Sequence, residues 1–563
     1  MMLLFFLLAP ILSAQTADTI YYNAKIVTMW DQHPVVEAVA IRGDRFLAAG
    51  SKDSVMKTAG PSTRKIDLRG KTVLPGLIDS HVHPIMAALS EKDGPIPVMN
   101  SIAEIQAHMR KMAAQAAPGD VLFIPKVYST RLKDRRYPTR HELDAAAPNH
   151  IALTDNGYAS VLNSKALARI GITRDTPQPP NGKIIKDAAG EPTGLILGAP
   201  QLLSQIRRTK QPTAADLLWA LESMHRKYNE VGLTSVIDRG ESPEGFRAYE
   251  TLRGRNKLTV RSYVTYLISA HGTPADVRHE IERIPFVTGF GDEWFRVGSL
   301  KTVADGGILI GTAYLREPYG EHTDIYGYKD PDYRGVLAVP KENLVEMART
   351  SVRLGWQMTA HTTGGGAIDT LLDAYETVNR ETPLSGRRFT VTHGNFPSGE
   401  SIARAARMGI AFDCQPQWYY FDGPALAPVF GPERIKQFQP LRTMLAKGVV
   451  VAGGSDHMIR FDSRASINAY NPYWAMWMTI TRKTADGSTL NPGEALTREQ
   501  ALRLWTLNGA YLSFEEKTKG SIEPGKLADM VVISEDYLTC PVDHIKDIEA
   551  LLTVVGGKVV YSR

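Results

Sequence analysis

Two histidines in the first quarter of the chain have the spacing of a metal site. His81 and His83 are separated by one residue, and they follow the apolar run Val73-Leu-Pro-Gly-Leu-Ile. Residues i and i+2 of a β-strand point to the same side, so both imidazoles would face one point in space. Neutral imidazoles suit zinc and other divalent ions of similar softness. The alternative is an ordinary pair of surface histidines, because so short a motif also arises by chance.

Four later residues of metal-binding type lie in or at the ends of apolar segments. His361, His393 and Asp456 each close such a segment, and Lys301 lies within another. A lone histidine is usually an ordinary core or surface residue. An unpaired ammonium inside an apolar strand, however, is costly. The recurrence of such residues along successive strands favours one shared site over five separate explanations.

The middle of the chain alternates strand-like and helix-like segments, which predicts parallel strands joined by helical crossovers. Eight such units predict an α/β fold, a (β/α)8 TIM barrel, whose active site lies at the C-terminal ends of its strands. The predicted strands cover residues 73–83, 231–238, 258–267, 295–304, 357–361, 388–393, 409–415 and 449–456.

The long gap after the first strand and the two β-rich chain ends complete the predicted architecture. Residues from about 84 to 230 exceed one crossover, so they predict an inserted α/β lid subdomain above the catalytic face. Short β-branched runs at both chain ends need partners to bury one face. We therefore predict that residues 17–72 and 512–563 together form one small sheet domain, and that residues 73–511 form the barrel.

The composition is that of an ordinary globular protein, with 43% hydrophobic and 22% charged residues and a net charge of +5. Without a block rich in Lys and Arg, nucleic acid is not expected as a partner. The absence of a flavin, nucleotide or phosphate loop argues against redox and phosphoryl chemistry. Cys414 and Cys540 form no CxxC pair, which favours buried thiols and leaves a disulfide open.

The N-terminus resembles a secretory signal peptide at residues 1–14. Its apolar run reaches Leu12, is followed by small residues, and is too short to span a bilayer. It lacks the usual basic residue at its start, so a hydrophobic extension is the alternative. We expect an exported protein, periplasmic or extracellular, with no stable membrane span after cleavage.

Taken in order, the motifs resemble those of the metal-dependent amidohydrolase superfamily, and most closely its amidohydrolase-3 family. The resemblance extends over nearly the whole chain after the signal and implies a TIM barrel with a composite β-sandwich. The matching segments are Pro75-Gly-Leu-Ile-Asp-Ser-His-Val-His-Pro, Lys301 with Asp305-Gly306, His361-Thr-Thr-Gly-Gly-Gly-Ala-Ile-Asp, His393, Ser455-Asp456 and residues 520–529.

The resemblance also implies roles for the site residues. It implies one or two divalent ions, with zinc as the expected metal. Lys301 would bridge two ions as an N6-carboxylysine. If Lys301 is unmodified, a site with a single metal ion is the alternative. Asp456 would accept a proton from the activated water and pass it to the leaving nitrogen. The implied metal ligands are His81, His83, Lys301, His361, His393 and Asp456.

Several positions depart from the family pattern without removing a proposed metal ligand. Gly365 stands where an aspartate is usual, Thr392 where a glutamate is usual, and Tyr158 where a histidine is usual. The candidate substrate-binding residues are Tyr158, Trp418 and His457. His457 is equally expected to support Asp456 from behind.

The leading prediction is a metal-dependent hydrolase of a non-peptide amide C–N bond in a small-molecule substrate. A deaminase or a hydrolase of cyclic amides would use the same residues. A non-catalytic binding protein is the rival from another class, and Asp456 argues against it because simple binding requires no base. A homo-oligomer is compatible with the sequence.

Overall fold

The structure, a computed structural model, describes residues 16–179, 182–206 and 211–563. The signal peptide predicted at residues 1–14 lies outside the described residues. Within those ranges, none of the helices combines the length and the apolarity needed to cross a bilayer.

Eight parallel strands form the barrel, and each pairs with the next one along the chain. The first and last strands meet through two backbone hydrogen bonds, from Asp456 N to His81 O (2.7 Å) and from His83 N to His457 O (2.8 Å). The predicted TIM barrel is confirmed. The strands are β1 (Leu77–Val82), β2 (Leu233–Glu241), β3 (Arg261–Leu267), β4 (Phe295–Val303), β5 (Met358–Thr362), β6 (Thr390–His393), β7 (Ala411–Cys414) and β8 (Val451–Gly453).

The single strand predicted at residues 73–83 is in fact two strands in different sheets. Thr72–Pro75 belongs to a sheet outside the barrel, whereas β1 begins at Leu77. Gly76 joins them at a point where a Cβ would collide with the side chain of Thr234. A continuous apolar run gave no sign of this break, because strands in both sheets are buried here.

Helices surround the barrel, and side-chain caps start several of them. Thr213 and Thr273 each form a capping box with an aspartate three residues later, which satisfies free backbone N–H groups. The helices that follow the strands are Ala214–Asn229, Pro243–Gly254, Pro274–Glu282, Lys341–Leu354, Gly365–Glu381, Gly399–Met408, Pro416–Arg434, Leu441–Ala446, Pro472–Thr481, Arg498–Leu504 and Leu507–Leu512.

The segment between β1 and β2, predicted as an inserted α/β subdomain, contains its own five-stranded sheet. The loop between the strands Ile151–Asp155 and Ala159–Leu162 carries Tyr158 to the barrel mouth. The strands, in spatial order, are Lys183–Lys186, Pro192–Leu197, Ala159–Leu162, Ile151–Asp155 and Val121–Pro125. Its helices are Pro84–Leu89, Ile102–Ala113, Arg140–Ala146 and Ser164–Arg169.

Two further sheets pack over a shared apolar core that includes Tyr21, Phe46 and Met530. The larger sheet combines both chain ends, since Leu74 pairs with Val531. One sheet contains Arg45–Gly50, Ala38–Arg42, Ala17–Tyr22 and Ala59–Asp67, with the helix Lys52–Met56 beside it. The other contains Lys558–Ser562, Ala550–Val555, Met530–Ile533, Thr72–Pro75, Lys25–Val27 and Val35–Val36.

The two cysteines of the chain are not joined. Cys414 at the end of β7 and Cys540 near the C-terminus are both buried and free. The prediction of buried thiols is confirmed. Burial raises the pKa of both thiols, which keeps them in the unreactive protonated form.

Candidate metal centre

Three of the predicted ligands form a compact group at the C-terminal end of the barrel. The Nε2 atoms of His81 and His83 lie 3.3 Å and 3.4 Å from Asp456 Oδ1. Their ligand atoms all lie within 4.8 Å of one another. Two imidazole nitrogens and a carboxylate oxygen are a donor set that zinc accepts. This triad could hold a divalent ion.

Lys301 on β4 lies next to the triad and is buried. Its Nζ is 3.4 Å from His81 Nε2. Burial lowers the pKa of Lys301 to about 8, even though the carboxylates of Asp456 and Asp413 oppose the shift. An appreciable fraction of the amine is therefore neutral near pH 7 to 8.

His361 and His393 lie beside the triad on the neighbouring strands β5 and β6. Their ring centroids are 4.4 Å apart, and the His393 ring stacks on that of His81 at 4.8 Å. His361 Nε2 faces the carbonyl of Gly306 at 3.2 Å, so in this arrangement Nε2 carries the proton and Nδ1 is the free lone pair. The structure thus brings all six predicted ligands to one end of the barrel, although these two lie outside the triad.

Burial keeps the histidines of the site uncharged. It lowers the pKa of His81 and of His393 well below the ordinary value, and that of His361 to about 3. The nearby Lys301 ammonium lowers all three further. Neutral imidazole is the form that binds a metal ion, so these rings are ready as ligands at neutral pH.

Asp413 on β7 and Gln415 directly after it orient the histidines from behind. His81 Nδ1 lies 3.0 Å from Asp413 Oδ1, and His393 Nδ1 lies 2.7 Å from Gln415 Oε1. Gln415 Nε2 donates to Asp413 Oδ1 at 2.7 Å, so the two supports are linked. Arg239 Nη2 forms an ion pair with Asp413 Oδ2 at 2.9 Å, although its N–H is not aligned for a hydrogen bond. Occupied Nδ1 atoms leave the Nε2 lone pairs free for a metal ion.

Sequence reasoning missed this support. Asp413 and Gln415 have the same i, i+2 spacing at a strand end as His81 and His83. That spacing was a usable signal, but neither residue type is diagnostic without knowledge of its neighbours.

The backbone at Asp456 is strained, and its side chain is held in place. Asp456 adopts a left-handed conformation with φ of 56°, which is uncommon outside glycine and often marks functional sites. Asn468 Nδ2 donates to its carbonyl at 2.8 Å and to its Oδ2 at 3.2 Å. The carboxylate is therefore fixed with Oδ1 towards the histidines.

A cavity of about 220 Å³ lies over the triad. Two predicted substrate-binding residues line it: Tyr158 stacks on His361 at 5.7 Å, and Trp418 stacks on His393 at 4.7 Å. The short helix Ile308–Ile310 supplies an apolar wall that sequence reasoning did not assign to the site. The cavity is thus polar at its metal-binding end and mainly apolar elsewhere.

His457 does not line this cavity, which corrects the expectation of a substrate contact. Its ring is fully buried, with Nδ1 3.1 Å from Tyr228 Oη and Nε2 2.8 Å from the carbonyl of Arg460. Both nitrogens are already bonded by the protein, so neither remains for a substrate. The structure supports the other alternative, in which His457 stabilises the loop that carries Asp456.

The family model described as Amidohydrolase family matches residues 64–561 of the chain. The chain belongs to the amidohydrolase family. Over 565 residues it is 29% identical to the N-substituted formamide deformylase of Arthrobacter pascens, covering 98% of this chain and 99% of that protein. The predicted membership is confirmed, and the protein is a metal-dependent hydrolase of C–N bonds other than peptide bonds.

Solved structures share the fold of this amidohydrolase. A metal-dependent hydrolase from Pyrococcus horikoshii OT3 matches with a TM-score of 0.68 and 21% identity, over 93% of this chain and 99% of the other. A zinc-bound adenosine deaminase from Xanthomonas campestris matches with a TM-score of 0.53 and 14% identity, over 97% and 93%.

Two departures from the family pattern have local explanations in this amidohydrolase. A side chain at Gly365 would collide with the guanidinium of Arg316, which occupies the space beside the start of the helix Gly365–Glu381. Thr392 bonds to Thr359 Oγ1 at 2.7 Å and donates to Asp413 Oδ2 at 3.2 Å. A hydroxyl here completes the support of Asp413 where a longer acidic side chain would bring a second negative charge.

Proposed function

We propose that this amidohydrolase hydrolyses small N-acyl amines, above all N-substituted formamides, at a zinc-dependent site. The observation that carries the proposal is the triad of His81, His83 and Asp456 at the floor of a small apolar cavity. A volume of about 220 Å³ favours an acyl group of few atoms with an apolar amine portion. The name of the Arthrobacter pascens relative supports this substrate class.

The donor atoms fit zinc. His81 and His83 would bind through Nε2 and Asp456 through Oδ1, and His361 and His393 are placed to hold a second ion beside them. Bound zinc would supply Lewis acidity for the substrate carbonyl and lower the pKa of a water molecule. The zinc in the related adenosine deaminase structure supports this choice of ion.

We propose that Lys301 is an N6-carboxylysine when two ions are bound. A charged ammonium 3.4 Å from His81 Nε2 would repel a cation there. The neutral amine, favoured by burial, adds CO2 to its nitrogen and loses one proton, which converts the group into an anionic oxygen ligand. Without that modification, the triad would hold a single ion.

The protein's own residues would bind the substrate and move the proton. Asp456 accepts a proton from the water that attacks the acyl carbon. It then donates this proton to the amine nitrogen as the C–N bond breaks, which yields a carboxylic acid and an amine. Asn468 holds the carboxylate in position, and Trp418 and Tyr158 enclose the substituent and exclude bulk water.

The assay that tests the proposal uses zinc-loaded protein and a panel of N-formyl, N-acetyl and cyclic amides together with an amino-substituted purine. We expect formate and amine in equal amounts from the N-formyl compounds. Asp456→Asn should abolish turnover while most of the zinc remains bound, and substantial residual activity would exclude Asp456 as the base. Release of ammonia from the purine alone would replace the proposal with a deaminase, and binding without turnover would favour a non-catalytic protein.

The signal at residues 1–14 supports export, and we propose a periplasmic or extracellular location. N-terminal sequencing of the protein recovered from the periplasmic fraction should give a mature chain that begins near residue 15. A full-length chain confined to the cytoplasm would contradict export.

A further inference from the structure

A second, strongly basic cavity adjoins the catalytic cavity. It has a volume of about 490 Å³ and shares the wall residues Lys126 and Tyr128 with the catalytic cavity. In the described part of the chain, no aspartate or glutamate lines it. We call it the basic cleft. Its cationic lining residues are Lys126, Arg131, Lys133, Arg135, Arg460 and Arg464.

Two of these cations have carboxylate partners. Arg131 pairs with the buried Asp422 at 2.6 Å, and its guanidinium stacks over the Phe421 ring. Arg464 lies 3.7 Å from the largely exposed Asp547, a distance at which solvent weakens the attraction. The Arg131 pair is therefore a structural feature of the cleft wall and accounts for one charge of the six.

Three other cations form no ion pair with a carboxylate. Arg460 is only 6% exposed, and its guanidinium donates to the backbone carbonyls of Ile96, Pro97 and Ala465. Arg135 donates to a backbone carbonyl as well, and Lys133 is exposed. Among the residues that the structure describes, no carboxylate lies within ion-pair distance of Arg460, Arg135 or Lys133. Glu91 and Asp462 act on Arg460 from outside the lining of the cleft, and they do not form ion pairs with it. The buried guanidinium and the two exposed cations therefore leave the cleft itself with a positive potential.

We infer that the basic cleft binds an anionic group, carboxylate or phosphate, at the far end of the substrate's amine portion. This rests on the proposed function, because the scissile bond is taken to lie at the metal centre. The apolar cavity would hold the acyl group and an apolar spacer. The spacer would pass Lys126 and Tyr128, which line both cavities, so that the anionic end of the substrate reaches the cleft. Guanidinium and ammonium groups are the donors that bind such anions most strongly.

The test compares two substrates that differ only at the far end: N-formylhexylamine and N-formyl aminohexanoate. Wild type should have the lower KM for the carboxylate. Lys133→Gln combined with Arg135→Gln should raise that KM about fivefold with little change in kcat, because each exposed ion pair contributes little. The KM of N-formylhexylamine should not change. Added salt should erase the preference in wild type.

A matched control separates the cleft from the overall charge of the protein. Arg64 and Lys65 are exposed on the strand Ala59–Asp67, which is remote in sequence from the residues of the cleft. This strand belongs to a different sheet from those of the barrel and of the insertion. Arg64→Gln with Lys65→Gln removes the same two charges and should leave both KM values unchanged. Lys133→Arg with Arg135→Lys keeps the charges and should retain the preference.

The possible outcomes distinguish failure of the cleft from failure of the proposed function. The inference is overturned, while the proposed function stands, if N-formylhexylamine is hydrolysed but the carboxylate has no advantage. The same holds if Lys133→Gln with Arg135→Gln and Arg64→Gln with Lys65→Gln change the KM values equally. If inorganic phosphate at millimolar concentration slows turnover of N-formylhexylamine only in wild type, the cleft serves a free anion, and the substrate assignment is wrong. If neither compound is hydrolysed, the proposed function fails. Calorimetric binding of aminohexanoate, lost in the cleft variant but retained in the control, would then still support the cleft.

Discussion

Asp413 should control metal affinity although it does not belong to the metal-binding triad. Its Oδ1 accepts from Gln415 and faces His81 Nδ1, while its Oδ2 faces Arg239 and Thr392. In Asp413→Asn, one of these oxygens becomes an NH2 group. That group would face either the Arg239 guanidinium or the donors of His81 and Gln415, so one side of the network must break.

The expected magnitudes follow from these contacts. Loss of the partner behind a metal-binding histidine lowers metal affinity about 10- to 100-fold, which is about 1.4 to 2.7 kcal/mol. Both Arg239 and Asp413 are buried, and breaking a buried ion pair costs about 3 to 5 kcal/mol. The variant should therefore lose more free energy of unfolding, measured without metal, than free energy of zinc binding.

Two measurements check this prediction. Competition with a chelating dye gives the zinc affinity, and urea unfolding of the metal-free protein gives the free energy of unfolding. Thr392→Val is the matched control, because it removes the hydrogen bonds to Asp413 Oδ2 (3.2 Å) and Thr359 Oγ1 (2.7 Å) and leaves the charge of Asp413 in place. Its zinc affinity should stay close to that of wild type. A zinc affinity of Asp413→Asn equal to that of wild type would refute the reasoning.

Three further predictions concern the lysine, a buried histidine and a close packing contact. Lys301→Ala should lose zinc and regain part of it with propionate, and full zinc occupancy without the lysine would exclude the bridge. Burial lowers the pKa of His225 to about 3, below the unfolded value of 6.5. The contribution of His225 to the free energy of unfolding is therefore complete above about pH 6.5 and falls by about 2 kcal/mol at about pH 5. In urea titrations, the stability that His225→Phe loses between pH 7 and pH 5 should be smaller than the wild-type loss by that amount. A Cβ at Gly454 would lie 2.7 Å from His81 Cβ, so Gly454→Ala should displace this ligand and weaken zinc binding, whereas Gly399→Ala, in open space, should not.

Local patterns in the sequence were sufficient to predict the barrel and to identify the six candidate ligands. A strand repeats every two residues, so His81 and His83 must share a side wherever the strand lies. Lys301, His361, His393 and Asp456 could be grouped because parallel strands place their C-terminal ends together. These relations depend on short-range backbone geometry, which the residues themselves specify.

Local patterns could not predict the break at Gly76 or the five-stranded sheet of the insertion. Both chain segments around Gly76 are buried and apolar, so periodicity does not show that they enter different sheets. The strands of the insertion are short and derive their stability from one another, which makes their individual signals weak.

Only the tertiary structure showed which groups surround the site. His81 and Asp413 are 332 residues apart, and their contact exists because closure of the barrel brings β1 close to β7. The same packing buries His457 against Tyr228 and places Tyr158 of the insertion over His361. Side-chain contacts across such separations depend on how whole elements pack, because no local rule relates residues whose backbones are far apart along the chain.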